Sequence, residues 1–94
     1  MSLTNVTLKF PSQFSGYINN EKTAEFEGDK FVDFINYLEG TFGNIKERLF
    51  DEKGELRPYI NFYIGKNNIK ALKGLQSEVP DGEKVTLLLS RAGG

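Results

Sequence analysis

The sequence predicts an α+β domain in which one main α-helix covers one face of a mixed β-sheet. Three observations predict this class. Apolar and polar residues alternate near both ends of the chain, one amphipathic segment lies between them, and glycine, proline and asparagine separate these stretches. A length of 94 residues leaves room for one hydrophobic core. We therefore expect one unit over residues 1–89, followed by a short flexible tail over residues 90–94.

The N-terminal part is predicted to form two neighbouring strands. Apolar side chains at every second position predict a half-buried strand over residues 4–10, which ends at Pro11 because proline donates no backbone hydrogen bond. A turn-rich link containing Asn19-Asn20 follows. Residues 23–26 are then predicted to form a shorter strand that returns beside the first.

One amphipathic helix is predicted from about Lys30 to Phe42, since its apolar residues recur at helical spacing and share one face. Asp29 is the predicted N-cap, and Gly40 or Gly43 the predicted left-handed residue that closes the helix. One more short helical turn is predicted between residues 45 and 49. The predicted core combines the helix face Phe31, Phe34, Ile35 and Leu38 with the strand residues Val6, Leu8, Ile60, Phe62, Val85 and Leu87.

The C-terminal half is predicted to supply two more strands. After a polar turn over residues 51–55, apolar residues alternate between Ile60 and Ile64, which predicts a third strand. Asn67-Asn68 and Asp81-Gly82 are predicted turns, and residues 84–90 are predicted to form the closing strand. Strands before and after a single helix favour a β-grasp, with one helix on one face of a mixed sheet.

Composition excludes several classes of function. The chain contains no Cys and no His, the side chains on which most metal centres and nucleophilic sites depend, so we expect no metal and no active site of its own. A net charge of -1 provides no basic field for nucleic acid. The absence of a long apolar run predicts no membrane association and a cytoplasmic location. The carboxylate pairs Asp51-Glu52 and Glu25/Glu27 are interpreted as solvated charge.

The C-terminal tail is the feature most suggestive of chemistry. Ser90 to Gly94 follow directly on a strand that is predicted to be held in the sheet, and the last three residues are Ala92-Gly93-Gly94. Four residues beyond Ser90 can span about 13 to 14 Å, which is enough to enter another protein's active site. Glycines lack Cβ, so the end of such an arm can pass a narrow channel.

Several segments resemble the ThiS/MoaD family of ubiquitin-like sulfur carriers, and the resemblance covers nearly the whole chain. They are residues 56–64 (LRPYINFYI), the Lys73-Gly74-Leu75 step, residues 79–85 (VPDGEKV) and the terminal Ala92-Gly93-Gly94. Within the family, the pattern is most similar to MoaD-like carriers of the CysO type. Arg91 departs from the small apolar residues common before the glycines and is more reminiscent of ubiquitin. It is either a solvated surface arginine or a contact with acidic groups of the activating enzyme or with a substrate.

The resemblance implies a carrier cycle. A ubiquitin-activating-like adenylyltransferase of the MoeB/ThiF type would use ATP and Mg²⁺, which the chain itself does not bind, to adenylate the carboxylate of Gly94. Sulfur would then displace AMP and leave a thiocarboxylate for a downstream sulfur-accepting synthase. The product is left open between a cysteine- or homocysteine-type amino acid, molybdopterin, thiamin and other thio-metabolites. An alternative is a protein modifier that is joined through Gly94 to lysines of target proteins.

Side-chain alternation also predicts a partner interface. If Val85, Leu87 and Leu89 face the core, then Leu88 faces outward. Tyr59 and Tyr63 are predicted to join Leu88 in an apolar patch on the open face of the sheet, next to the tail.

Overall fold

The structure is a computed structural model that describes residues 2–90. In these residues a mixed five-stranded sheet has one main helix across one face. The strands are β1 (Leu3–Lys9), β2 (Thr23–Glu27), β3 (Ile60–Ile64), β4 (Asn67–Asn68) and β5 (Glu83–Leu89). The helices are α1 (Ser12–Ser15), α2 (Phe31–Phe42) and α3 (Lys46–Leu49), with short 3-10 turns at Gly16–Ile18, Ile69–Ala71 and Gly74–Gln76. The four strands expected from the sequence are therefore present, while α1 and β4 were not expected.

The strand order is β2-β1-β5-β3-β4, so the strands from the two ends of the chain lie side by side in the middle of the sheet. β1 is antiparallel to β2 and parallel to β5, and β5 is antiparallel to β3. Burial alternates along β1 and β2, as expected for strands with one covered face. This arrangement confirms the predicted α+β class, and it places the strand that leads to the tail in the sheet interior.

The core lies between α2 and the covered face of the sheet, and it contains every residue predicted for it. Phe34 is fully buried, and its ring packs 5.6 Å from the rings of both Phe26 and Phe31. Phe31 in turn contacts Phe62 of β3 at 4.9 Å between ring centroids. Aromatic side chains thus connect the helix to β2 at one edge of the sheet and to β3 towards the other edge.

The helix begins one residue later than expected, and the predicted N-cap is wrong. Lys30 occupies the N-cap position in extended conformation, and the Asp29 side chain does not cap the helix. Instead, the Asp33 carboxylate accepts the backbone N–H groups of Asp29 and Lys30 at 3.2 and 3.1 Å. A Cβ atom at Gly28 would collide with that carboxylate. At the other end Gly43, at φ +73°, closes the helix, while Gly40 lies within it.

The turn expected at Asn67-Asn68 is also wrong. These two residues form β4, paired antiparallel with Tyr63 and Ile64 of β3. The turn is made by Gly65 and Lys66, with Gly65 at φ +62°. An Asn-Asn pair favours a turn when its backbone groups have no other hydrogen-bond partner, but here they pair with the edge of β3. The Asp81-Gly82 turn is confirmed, with Gly82 at φ +84°.

Candidate functional site

β5 carries the candidate site, because its C-terminal end leads directly into the tail. It lies between β1 and β3, and its pairing with β3 extends to Ile60 opposite Leu89. One step further on, the N–H of Ser90 donates to the carbonyl of Tyr59 at 2.9 Å. The root of the tail is thus held in the sheet through Ser90. The predicted tail residues Arg91, Ala92, Gly93 and Gly94 lie outside the described residues.

The alternation predicted for β5 is confirmed. Val85 and Leu87 are buried beneath α2, whereas Leu88 is 50% exposed on the open face. Leu88 stands opposite Asn61 of β3. An exposed leucine at this position contributes little to the core, so its side chain is available to another protein.

We use the term docking patch for Leu88, Tyr63 and Tyr59. Tyr63, which is half-buried, pairs with Thr86 and is therefore a diagonal neighbour of Leu88 on the same face. Tyr59 is 37% exposed and lies just before β3, with its carbonyl bonded to Ser90. Tyr59 and Leu88 thus lie at the end of the sheet from which the tail departs, while Tyr63 lies further along β3, opposite the middle of β5.

An open groove continues the docking patch on the other side of β5. It has a volume of about 680 Å³ and runs between the end of β1 and the end of β5, where Phe10 and Pro11 turn away from the sheet. Thr86 and Leu88 line its β5 side, and the exposed residues Lys9, Lys22 and Glu21 line it with charges of both signs. A partner that covers Leu88 therefore has adjacent concave surface to fill.

Asn61 is a polar residue next to the docking patch that the sequence patterns did not identify. Asn61 stands opposite Leu88, and its side-chain amide donates to Ser90 Oγ at 3.3 Å. Alternation placed Asn61 on the open face, but only the register brings it to Ser90. An asparagine in the middle of a strand was the available signal, since this residue is depleted in strands.

The start of β5 is held by a different polar contact. Asp81 Oδ1 accepts the backbone N–H of Asn5 at 2.7 Å and its side-chain amide at 3.2 Å, and the N–H of Gly82 donates to the Asn5 carbonyl at 2.7 Å. The two donors of Asn5 hold the pKa of Asp81 below its ordinary value, and the backbone N–H has the larger effect. The contact secures the turn that precedes β5, at the opposite end of the strand from the tail.

The carboxylate pairs considered from the sequence lie apart from this site. Glu25 and Glu27 are exposed on β2, at the far edge of the sheet. Asp51 Oδ1 accepts the backbone N–H groups of Lys53 and Glu55 at 2.9 and 3.0 Å, so it organises its own turn, and Glu52 is exposed beside it. Within residues 2–90, no helix has the length and apolar character required to cross a bilayer.

Comparisons with known proteins agree with this architecture. No protein-family model matches the chain. The sulfur carrier protein CysO of Mycobacterium tuberculosis is 32% identical over 92 residues, which cover 96% of this chain and 99% of the relative. A chain of the Amycolatopsis orientalis BexX/CysO complex superimposes with a TM-score of 0.79 at 32% identity, covering 95% of this chain and 99% of that chain.

One structural neighbour is a protein modifier rather than a sulfur carrier by name. Small archaeal modifier protein 1 of Methanosarcina acetivorans superimposes with a TM-score of 0.74 at 26% identity, and all of both chains is covered. These likenesses confirm the ubiquitin-like β-grasp fold. Because the identity to CysO reaches 32% over 99% of its length, the chain belongs to the CysO sulfur carrier proteins of the ThiS/MoaD type.

Proposed function

We propose that this sulfur carrier transports sulfur as a thiocarboxylate on Gly94 and acts as a co-substrate of other enzymes rather than as an enzyme. A MoeB/ThiF-type adenylyltransferase joins the Gly94 carboxylate to AMP and releases pyrophosphate, using ATP and Mg²⁺ held by that enzyme. Hydrosulfide then attacks the acyl carbon, the C–S bond forms, and AMP departs with its electron pair. A carboxylate needs this activation because its negative oxygen repels nucleophiles and is a poor leaving group.

The observation that carries the proposal is the position of the end of β5. This strand is paired on both sides, and Ser90 is still bonded to Tyr59 at the edge of the described residues. Residues 91–94 span at most about 13 to 14 Å when extended. A rigid root next to the docking patch and an arm of that reach suit delivery of the terminal carboxylate into a partner. The absence of Cys supports sulfur on the carboxylate, since no thiol is available to carry it.

We further propose that the docking patch contacts both the adenylyltransferase and the sulfur-accepting synthase. Leu88 and Tyr59 offer apolar surface that a partner can bury, and aromatic residues are enriched where interfaces are fully desolvated. Arg91 follows the patch in the sequence, and we propose that it pairs with acidic groups of a partner. The complex that CysO forms with BexX in Amycolatopsis orientalis supports the idea of a protein partner for this chain.

For the sulfur-containing product we propose a cysteine- or homocysteine-type amino acid, because CysO proteins are the relatives to which the chain is 32% identical. Molybdopterin or another thio-metabolite is the alternative product. A reaction of the purified thiocarboxylate with each candidate synthase and its substrate distinguishes them.

The experiment combines the chain with adenylyltransferase, ATP, Mg²⁺ and sulfide and follows the intact mass of the chain. We expect a gain equal to the exchange of one oxygen for one sulfur, localised to the C-terminal peptide. A chain lacking Gly94 is the matched control and should remain unmodified. Modification elsewhere in the chain, or none in the parent, would contradict the proposal.

Conjugation to lysines of target proteins is the second candidate function. It is favoured by the likeness to small archaeal modifier protein 1, at 26% identity over the whole chain. Both functions need an activated Gly94, but they differ in the acceptor. Ladders of conjugates in cell extracts, absent when Gly94 is deleted, would identify the modifier. A free thiocarboxylate without conjugates would identify the carrier alone.

A further inference from the structure

A row of polar side chains crosses the open face of the sheet from β4 to the root of the tail. Asn68 Nδ2 donates to Asn61 Oδ1 at 3.4 Å, and Asn61 Nδ2 donates to Ser90 Oγ at 3.3 Å. Ser90 donates its backbone N–H to the carbonyl of Tyr59 at 2.9 Å, and its hydroxyl lies 3.5 Å from the same oxygen. The row therefore joins three strands, and it ends on the last residue that the structure describes before the tail.

Asn61 occupies the centre of this row. Both polar atoms of its side chain are engaged, with Oδ1 accepting from β4 and Nδ2 donating to Ser90. Its backbone pairs with Leu88, two residues before Ser90. Asparagine is a poor strand former, so propensity does not account for it at this position. The contact it makes with the root of the tail does.

We propose that Asn61 is a positioning residue that holds Ser90 in the sheet and so determines the point from which residues 91–94 reach a partner. This inference rests on the proposed function of Gly94. If Ser90 leaves the sheet, the arm gains one residue and about 3.3 to 3.6 Å of reach, and it samples more conformations before its end enters a partner. A fixed root reduces that search.

The first test needs only the isolated chain. Hydrogen exchange of the Ser90 amide, measured by NMR, reports how often Ser90 opens. With Asn61→Leu, which keeps the size but removes both hydrogen bonds, this exchange should accelerate about fivefold, the effect of losing one ordinary hydrogen bond. Exchange of the Leu87 amide should stay as in the parent. Asn61→Asp should behave like the parent, because its carboxylate accepts from Asn68 and from the Ser90 hydroxyl.

The second test measures activation by the adenylyltransferase as pyrophosphate exchange. Asn61→Leu and Ser90→Ala should each raise the KM for the carrier severalfold with kcat unchanged, and Ser90→Thr, which keeps the hydroxyl, should restore it. Asn67→Leu is the matched control, because within residues 2–90 the Asn67 side chain makes no hydrogen bond. It should match the parent in both tests.

Three outcomes would overturn the inference. One is Ser90 exchange in Asn61→Leu that equals the parent's. Another is accelerated exchange with an unchanged KM, which would mean that the contact exists but does not position the arm. The third is a KM increase of the same size in Asn67→Leu. If the parent itself is never activated, the proposed function fails, and the exchange measurement still decides whether Asn61 holds Ser90.

Discussion

Replacing Leu88 with glutamate tests the docking patch directly. Leu88 is 50% exposed in the isolated chain, so a partner that covers it buries about half of a leucine side chain. Full burial of leucine contributes about 1.5 to 3 kcal/mol, which makes the lost half worth about 1 kcal/mol. Burial of an unpaired carboxylate adds at least about 1 kcal/mol more. Together these terms predict binding about 30-fold weaker, since 1.4 kcal/mol corresponds to tenfold.

Leu3→Glu is the matched control. Leu3 is 53% exposed and lies on the same open face, but at the start of β1, away from the end of β5 that leads to the tail. Isothermal titration calorimetry against the adenylyltransferase and the synthase should give a weaker Kd for Leu88→Glu and a parental Kd for Leu3→Glu. Thermal melting should be similar for the parent and Leu88→Glu, because Leu88 lies outside the core, and slightly lower for Leu3→Glu, because its carboxylate stands opposite Glu27 of β2.

Two results would refute this reasoning. If Leu88→Glu binds both partners as tightly as the parent, the patch is not a docking surface. If Leu3→Glu weakens binding to the same extent, the loss comes from negative charge on the sheet rather than from the position of Leu88.

Three further predictions concern the core, the tail and the turn before β5. Phe34→Ala should lower the free energy of unfolding by about 3 to 5 kcal/mol, measured by urea denaturation, because Phe34 is fully buried between two aromatic rings; a parental midpoint would contradict the core assignment. Deletion of Gly94 shortens the tail by about 3.3 to 3.6 Å, and Gly93→Val adds β-branched bulk. Each should abolish pyrophosphate exchange without altering thermal melting. Parental activity in either variant would refute entry of the tail into a narrow channel of the adenylyltransferase. Asp81→Ala should lower Tm at neutral pH, and the difference in Tm from the parent should narrow below about pH 4. The pKa of Asp81 is lower in the folded than in the unfolded chain, so its contacts stabilise the fold only while the carboxylate is ionised. This stabilisation is complete above the unfolded pKa and is lost as the pH falls through the folded pKa. A difference that stayed constant with pH would contradict the role of Asp81.

Local patterns predicted the four longer strands, the main helix, the core and the exposed face of β5, but not α1 or β4. Alternation along residues 83–89 was sufficient to bury Val85 and Leu87 and to expose Leu88, because successive side chains of a strand point to opposite faces whatever the strand pairs with. Helical spacing placed Phe31, Phe34 and Leu38 on one buried face, because residues three or four positions apart lie on the same side of a helix. The resemblance to the ThiS/MoaD family, carried by residues 56–64, residues 79–85 and the terminal glycines, is confirmed by the relatives. The tail residues stay a prediction.

Only the tertiary structure decided what depends on contacts between distant residues. The antiparallel pairing of β3 with β5 and its register bring Asn61 to Ser90, 29 positions away in sequence. The two wrong assignments have a shorter-range cause, because partners three to five positions away take the hydrogen bonds. Asp33 rather than Asp29 holds the start of α2, and β3 claims Asn68 as a strand residue. Propensity describes what a residue prefers alone, whereas a backbone or side-chain hydrogen bond goes to whichever partner the fold brings within reach.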